Sequence, residues 1–183
     1  MSLSLALWVA LAVLVFWALG AYNRLVRQRA HAIAAFVAVD AQFLQYVALV
    51  QSQLPQALET GSRASQQLWL NLAGACQQFE ASLKVVRPRP LDATFMEPLH
   101  TAHETLRQSW LRMLAAAPDL AGSMLPLSLQ SQWAHIEVLL GSTMREFDNE
   151  VAAYNEAIAQ FPAIILAWLF AFKPAKPVCP AQH

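Results

Sequence analysis

The sequence predicts an all-α protein in which an N-terminal transmembrane helix continues into an antiparallel four-helix up-down bundle with long helices. Three observations support this fold class. Residues 1–23 carry no charge, four long segments repeat apolar residues at helical spacing, and no stretch shows the alternation of strands. Charged residues make up 13% of the chain, about half the roughly 25% of an average soluble domain. We therefore expect part of the surface to face lipid or a protein partner, and the composition argues against a strongly basic nucleic-acid-binding surface.

The first predicted element is a membrane anchor over residues 1–22. Its apolar core, residues 3–20, has 18 residues and would span roughly 27 Å as a helix. A cleaved signal peptide is the alternative, because Ala18-Leu19-Gly20 resembles a cleavage site. No basic residue precedes the apolar run, however, and the run is longer than a signal peptide needs.

The charges that follow this run predict its orientation. Arg24, Arg27 and Arg29 come directly after the apolar residues. Because cytoplasmic flanks carry an excess of Arg and Lys, we expect the N-terminus outside the cell and the rest of the chain in the cytoplasm.

A helical bundle is predicted over residues 23–160. Its first helix has a heptad seam that ends before an expected break at Pro55 and Thr60-Gly61-Ser62: Ile33, Phe36, Asp40, Phe43, Val47, Val50 and Leu54. The second helix is expected over about 62–86. The third starts near Thr94, with Thr94 and Glu97 as a capping box.

The fourth helix has the longest heptad pattern and is expected to begin at Leu125 or Pro126. Its apolar stripe comprises Trp133, Ile136, Leu140, Met144, Phe147, Val151, Tyr154 and Ile158. Pro162 is expected to interrupt or kink this helix.

Two segments follow the bundle. Residues 161–172 form an apolar run that is too short to span a bilayer. We interpret them as a segment that docks on the membrane, on the bundle or on a partner. Residues 173–183 contain three prolines and are predicted to be a flexible tail.

Basic residues concentrate where an up-down bundle would return to the membrane. Residues 24–90 carry a net charge of +4, residues 91–160 a net charge of −6, and residues 161–183 a net charge of +2. Both the 87–90 loop and the 161–172 segment should lie at the membrane side. The basic residues expected near anionic lipid are Arg24, Arg27, Arg29, Arg87, Arg89, Lys173 and Lys176.

Two groups of residues resemble the signature of the LemA family. The first is Tyr22-Asn23-Arg24-Leu25-Val26 with Asp40 downstream; the second comprises Arg145, Phe147-Asp148, Val151, Tyr154-Asn155 and Phe161-Pro162. The sequence departs from the family pattern at residues 44–50, where the family has a basic pair followed by I-P-N-L-V. It departs again at Phe147-Asp148, where the family has Y-N. The resemblance is to a divergent member and implies a single-pass protein of the bacterial inner membrane with a cytoplasmic helical bundle.

We interpret several polar residues as structural contacts within the bundle. Asp40 lies on the apolar seam, and we expect Arg145 to pair with it and fix the helix register. Tyr22-Asn23 and Tyr154-Asn155 are interpreted as locks at the membrane-proximal end of the bundle, with a partner site as the alternative.

No catalytic, cofactor-binding or metal-binding residues are predicted. The nearest approach to a metal cluster is formed by two histidines and two glutamates, which we interpret as a solvated polar face: His100, His103, Glu97 and Glu104.

The function expected from these features is a non-enzymatic scaffold or adaptor that organises the membrane or membrane proteins. The alternative is an accessory subunit of a membrane enzyme such as a protease. Membrane lipid and an unidentified membrane protein are the expected partners, and nucleic acid is not. The sequence leaves open whether the chain forms homo-oligomers.

Overall fold

A computed structural model describes residues 2–116, 125–161 and 163–178 of the chain. It contains five helices: α1 (Ser2–Thr60), α2 (Arg63–Val86), α3 (Ala93–Ala115), α4 (Leu127–Ala159) and α5 (Ala163–Leu169). No strand occurs in these ranges. The all-α prediction is therefore confirmed.

The four long helices form the predicted bundle. α1 packs along both α2 and α4, and α2 packs along α3. α3 and α4 meet through Trp110 and Trp133, whose rings stack with centroids 4.2 Å apart. The whole apolar stripe predicted for α4 is buried, because its heptad positions face the interior of the bundle.

α1 is one uninterrupted helix of 59 residues, about 90 Å long. Its first fully buried side chain is Leu25, whereas every residue from 7 to 17 is exposed. The apolar part of α1 thus projects beyond the bundle. Within the described residues it is the one segment long and apolar enough to cross a bilayer.

α1 ends at Thr60, within the predicted Thr60-Gly61-Ser62 break, but it runs through Pro55, which was also expected to break it. The Gly61 N–H donates to the Ala57 carbonyl at 3.2 Å, and a Cβ on Gly61 would lie only 2.6 Å from that oxygen. Ser62 then caps α2 by accepting the Ser65 N–H at 3.3 Å. The close approach at Gly61, rather than Pro55, therefore marks the turn.

The predicted capping box of α3 is wrong. Asp92 is the N-cap, and its Oδ1 accepts the Thr94 N–H at 3.1 Å. Because Asp92 already satisfies this amide, Thr94 lies inside the helix and Glu97 is free to pair elsewhere.

The buried face of α1 is wider than the predicted seam. Ile33 is 38% exposed, whereas Val39 and Tyr46, which the heptad omits, are buried. A strict heptad describes contact with one neighbour, but α1 lies between α2 and α4. Pro162, the predicted kink, lies outside the described residues.

Candidate functional site

The chain beyond α5 folds back along α4 as an extended segment, residues 172–178, which we call the tail strap. Asn155 pairs with both polar groups of the Ala175 backbone: its Nδ2 donates to the carbonyl at 2.8 Å, and its Oδ1 accepts the N–H at 2.9 Å. The Tyr154 hydroxyl donates to the Lys173 carbonyl at 3.1 Å. Asp148 accepts the Val178 N–H at 2.8 Å. Side chains of α4 thus hold the strap at three points.

The strap corrects the prediction of a flexible tail for residues 173–178, because α4 supplies hydrogen-bond partners to its backbone. Ala175 and Val178 are also buried. Burial raises the pKa of the Tyr154 hydroxyl, so this group remains a donor at neutral pH. Residues 179–183 lie outside the described residues.

An ion pair joins the strap to α3. Lys176 Nζ lies 2.7 Å from Glu97 Oε2. The hydrogen bond and the positive charge of Lys176 lower the pKa of Glu97. Both side chains are largely exposed, so this pair contributes little to stability. The pair ties the strap to the start of α3.

α5 turns its small residues inward and its large apolar residues outward. Ala163 and Ala167 are buried against the bundle. We call the exposed apolar surface of this segment the apolar foot; it comprises Phe161, Ile164, Ile165, Trp168, Leu169 and Phe170. α5 therefore docks on the bundle, which is one of the three alternatives predicted for residues 161–172. The apolar foot remains exposed.

A reversal after α5 directs the chain into the strap. The Phe172 N–H donates to the Ala167 carbonyl at 2.9 Å, and the Ala171 N–H donates to the Trp168 carbonyl at 3.4 Å. Ala171 adopts φ of 55°. This is the Schellman arrangement, in which the residue with positive φ is usually Gly.

Aromatic rings connect the apolar foot to α1. Trp17 and Phe161 have ring centroids 5.5 Å apart, and Tyr22 and Phe170 have centroids 5.0 Å apart. Tyr22 also meets the ring of Phe172 at 6.4 Å. The foot therefore lies level with the end of the apolar part of α1.

A cavity of about 340 Å³ lies next to these rings, further along α1 in the direction from Tyr22 to Arg29. We call it the basic pocket. It is lined by α1, by the loop between α2 and α3, and by the start of the strap. Its charged lining residues are Arg29, Arg89, Lys173 and Asp92, giving a net charge of +2. The Arg29 guanidinium lies 5.8 Å from the centroid of the Phe172 ring, in cation–π contact.

Asp92 keeps its negative charge at the edge of this pocket. Hydrogen bonds from Thr94 lower the pKa of the Asp92 carboxyl, and the charges of Lys173 and Arg89 act in the same direction. The carboxylate therefore serves the α3 cap and offsets only part of the positive charge.

The partner predicted for Asp40 is wrong. Arg87 Nε donates to Asp40 Oδ1 at 2.9 Å and to Oδ2 at 3.2 Å, whereas Arg145 is exposed on the outer face of α4. α2 runs back along α1, and Arg87, the residue that caps its C-terminus, therefore reaches the Asp40 seam. Arg87 is committed to this contact and does not join the other basic residues expected near lipid.

The interpretation of the His and Glu residues on α3 as a solvated face is wrong for His103. Its ring lies 5.3 Å from that of Phe43 and 5.8 Å from that of Phe79. Burial lowers the pKa of His103 to about 4, so the ring is neutral at pH 7. Glu104 pairs with Arg107 at 3.2 Å. The described residues contain no group of three potential metal ligands.

Comparison with known proteins identifies the family. The family model described as LemA family matches residues 25–179, which is most of the chain. The chain belongs to the LemA family. No curated protein and no solved structure matches this LemA chain.

The LemA motif residues fall into three structural groups. Leu25, Phe147 and Val151 are buried in the core, and the Phe147 ring packs against Phe36 with centroids 5.6 Å apart. Asp148, Tyr154 and Asn155 hold the tail strap. The exposed motif residues directly after the apolar segment of α1 are Asn23, Arg24 and Val26, with Arg27 beside them.

The sequence predicted Tyr154 and Asn155 as locks, but it predicted neither the strap that they hold nor the contact of Asp148 with it. The strap contributes backbone groups of Lys173, Ala175 and Val178, which any residue type supplies. The prolines of residues 173–183 instead predicted a flexible tail. An extended segment without helical spacing leaves no periodic signal in a sequence.

Proposed function

We propose that this LemA-family protein is a single-pass scaffold or adaptor of the bacterial inner membrane, without catalytic activity of its own. The observation that carries the proposal is the position of the apolar foot relative to α1. The foot contacts Trp17 and Tyr22, which are about 7.5 Å apart along the helix axis. This is the level at which the uncharged segment ends, so the foot would lie in the membrane interface.

The same contacts favour a retained anchor over a cleaved signal peptide. Trp17 precedes the candidate cleavage site at Ala18-Leu19-Gly20. Cleavage there would remove the ring that packs against Phe161. The folded body thus uses a residue from the apolar segment itself.

Charge supports a cytoplasmic body. Arg24 and Arg27 are exposed directly after the apolar segment, as the cytoplasmic flank of a membrane helix requires. A reporter fused after His183 tests this orientation. Activity of a cytoplasmic reporter is expected, and activity restricted to a periplasmic reporter contradicts the proposal.

The shape of the body supports a scaffold role. Residues 25–60 of α1 would project about 50 Å from the membrane, presenting long helix faces to neighbouring proteins. A shallow groove of about 560 Å³ between α1 and α4, lined partly by Ala30, Ala34 and Ala38, is one such face.

Thiol accessibility tests the membrane contact of the foot. In a background with Cys76→Ala and Cys179→Ala, Ile165→Cys is compared with Val138→Cys. Val138 is 72% exposed on α4, and Ile165 is 55% exposed on the foot. In intact vesicles we expect a charged maleimide to label position 138 and to spare position 165 until detergent is added. Equal labelling of both positions in vesicles contradicts the proposal.

Cross-linking in intact membranes tests the scaffold role. A photoreactive residue at position 34, in the groove, is compared with one at position 81, an exposed position on α2. Specific capture of a membrane protein from position 34 supports an adaptor. Stoichiometric recovery of a membrane enzyme favours the accessory-subunit alternative, and capture at neither position contradicts both.

A further inference from the structure

We propose that the basic pocket binds the phosphate group of an anionic phospholipid, so that the body recognises headgroup charge as well as hydrocarbon. This inference rests on the membrane placement proposed above. It concerns a defined cavity rather than a general attraction to a charged surface.

Three cations from three separate parts of the chain converge on this cavity: Arg29 from α1, Arg89 from the loop after α2, and Lys173 from the strap. The structure gives none of them an ion pair with a described residue. The other two basic residues of the loop and strap, Arg87 and Lys176, are paired with carboxylates. The fold thus neutralises some basic residues at this end and leaves these three available.

The fold also fixes the positions of these three residues. The Arg29 guanidinium lies over the Phe172 ring, and the Lys173 carbonyl accepts the Tyr154 hydroxyl. The Arg89 N–H donates to the Val86 carbonyl at 2.8 Å. The Arg29 guanidinium and the backbone that carries Arg89 and Lys173 are therefore held in place before a ligand binds, which reduces the conformational entropy lost on binding.

The distance of the basic pocket from the proposed membrane segment suits a lipid headgroup. Phe172 connects the apolar foot to the basic pocket, because its ring contacts both Tyr22, which packs against the foot, and Arg29, which lines the pocket. Arg29 follows Tyr22 by about 10 Å along α1, and helical side chains lean towards the N-terminus, here towards the membrane. The polar layer of each leaflet is about 5–7 Å thick, so a phosphate in it lies within reach of the pocket.

The size and charge of the pocket fit one phosphate group with the first atoms of its substituent. Its volume of about 340 Å³ is at the lower end for small-ligand sites. Asp92 offsets one of the three positive charges, and the remaining charge of +2 still favours a phosphodiester. A phosphate with two arginines and a lysine nearby has the charge-assisted donors that it binds best.

The experiment uses the full chain in nanodiscs that contain equal amounts of phosphatidylglycerol and phosphatidylcholine. After mild detergent extraction, native mass spectrometry measures the ratio of the two lipids retained by the protein. Arg29→Gln, Arg89→Gln and Lys173→Gln are tested singly and together. Arg63→Gln with Arg112→Gln is the matched control, because these exposed arginines lie at the far end of the bundle.

We expect the wild-type chain to be enriched in phosphatidylglycerol. Each neutralised pocket residue should reduce this enrichment by about fivefold, while the control pair retains it. Equal losses in the pocket and control variants overturn the proposal, as does enrichment that survives the triple substitution. Arg29→Lys distinguishes charge from damage: it should keep most of the enrichment, and a loss equal to that of Arg29→Gln also overturns the proposal.

Two further arms separate lipid from soluble ligands and this inference from the proposed function. Millimolar inorganic phosphate or glycerol phosphate should not displace the retained lipid, and full displacement assigns the pocket to a soluble phosphate instead. The protection of Ile165→Cys in vesicles is measured on the wild-type body and on the triple variant, and both should be protected. Protection of the wild-type body without phosphatidylglycerol enrichment rejects the pocket alone, whereas loss of its protection rejects the membrane placement.

Discussion

Asn155 binds Ala175 as one strand of a sheet binds the next, with an amide N–H and a carbonyl oxygen each satisfied by the other residue at 2.8 and 2.9 Å. The side-chain amide of a helix thereby supplies the backbone partners that an isolated extended segment lacks. This pairing lies between the Tyr154 contact to Lys173 and the Asp148 contact to Val178. The late LemA motif is therefore a device that ties the strap to α4.

Replacing Asn155 with Ala should release the centre of the strap. Loss of two hydrogen bonds at about 1 kcal/mol each lowers the free energy of unfolding by about 2 kcal/mol. Urea titration of the detergent-solubilised chain measures this change, and hydrogen exchange at the Ala175 amide should become faster. Asn149→Ala, on the exposed side of the same helix, is the control and should change stability by less than about 0.5 kcal/mol. Equal effects of the two substitutions would refute the role of Asn155.

The contact between Asp40 and Arg87 should appear as energetic coupling. A double-mutant cycle with Asp40→Asn and Arg87→Gln is expected to give about 1–2 kcal/mol, because the pair is partly buried and doubly hydrogen-bonded. The cycle of Asp40→Asn with Arg145→Gln is the comparison. It should give a coupling near zero, since Arg145 is exposed on α4. Larger coupling to Arg145 would contradict the observed pairing.

The sequence predicted α4 well and α1 less well for one physical reason. α4 buries a single stripe, so each of its heptad positions from Trp133 to Ile158 is a core position. α1 is buried from two sides, and its pattern therefore mixes two stripes. That mixing hid Tyr46, which is 1% exposed, and misplaced Ile33.

The sequence predicted which residues make structural contacts at the candidate site, but it did not predict the groups that they contact. Tyr154 and Asn155 were identified as locks, but their partners are backbone groups without a sequence signature. Arg87 and Arg145 are chemically equivalent candidates for Asp40. The choice between them depends on helix phase and on how far α2 runs along α1, and neither follows from composition.

Gly61 should not tolerate a side chain. A Cβ at this position would meet the Ala57 carbonyl at 2.6 Å and the Ser65 side chain at 3.2 Å. Gly61→Ala is therefore expected to lower the free energy of unfolding by about 1–3 kcal/mol. Gly74→Ala is the control, since nothing lies within 4 Å of its Cβ position inside α2, and it should raise stability by about 0.5–1 kcal/mol. A stabilising effect of Gly61→Ala would contradict the tight turn after α1.

Replacing Ala171 with Gly should stabilise the folded protein. It occupies the left-handed position of the α5 reversal with φ of 55°, where a Cβ is unfavourable by about 1 kcal/mol. Ala171→Gly should therefore raise the free energy of unfolding by up to about 1 kcal/mol. Ala153→Gly, inside α4, should lower it by a similar amount. If both substitutions destabilise the chain equally, the reversal does not have this geometry.

Burial of His103 should make the body less stable as the pH falls. The pKa of His103 is lowered to about 4, mainly by burial; Glu104 opposes this shift, while His100 and Arg107 reinforce it. The unfolded chain has a histidine pKa of about 6.5, so between pH 6.5 and pH 4 it binds more protons than the folded chain. Stability therefore falls with pH in this window, by about 2–3 kcal/mol between pH 6.5 and pH 4.5.

His103→Leu isolates this contribution, because leucine keeps an apolar side chain among Phe43, Tyr46 and Phe79 and does not titrate. Urea titrations at pH 7 and pH 4.5 should show most of the wild-type loss disappearing in this variant. His135→Gln, which changes an exposed histidine of α4, should retain the loss. If His103→Leu retains it as well, the ring does not stay neutral inside the aromatic cluster, and the acid sensitivity arises from carboxylates.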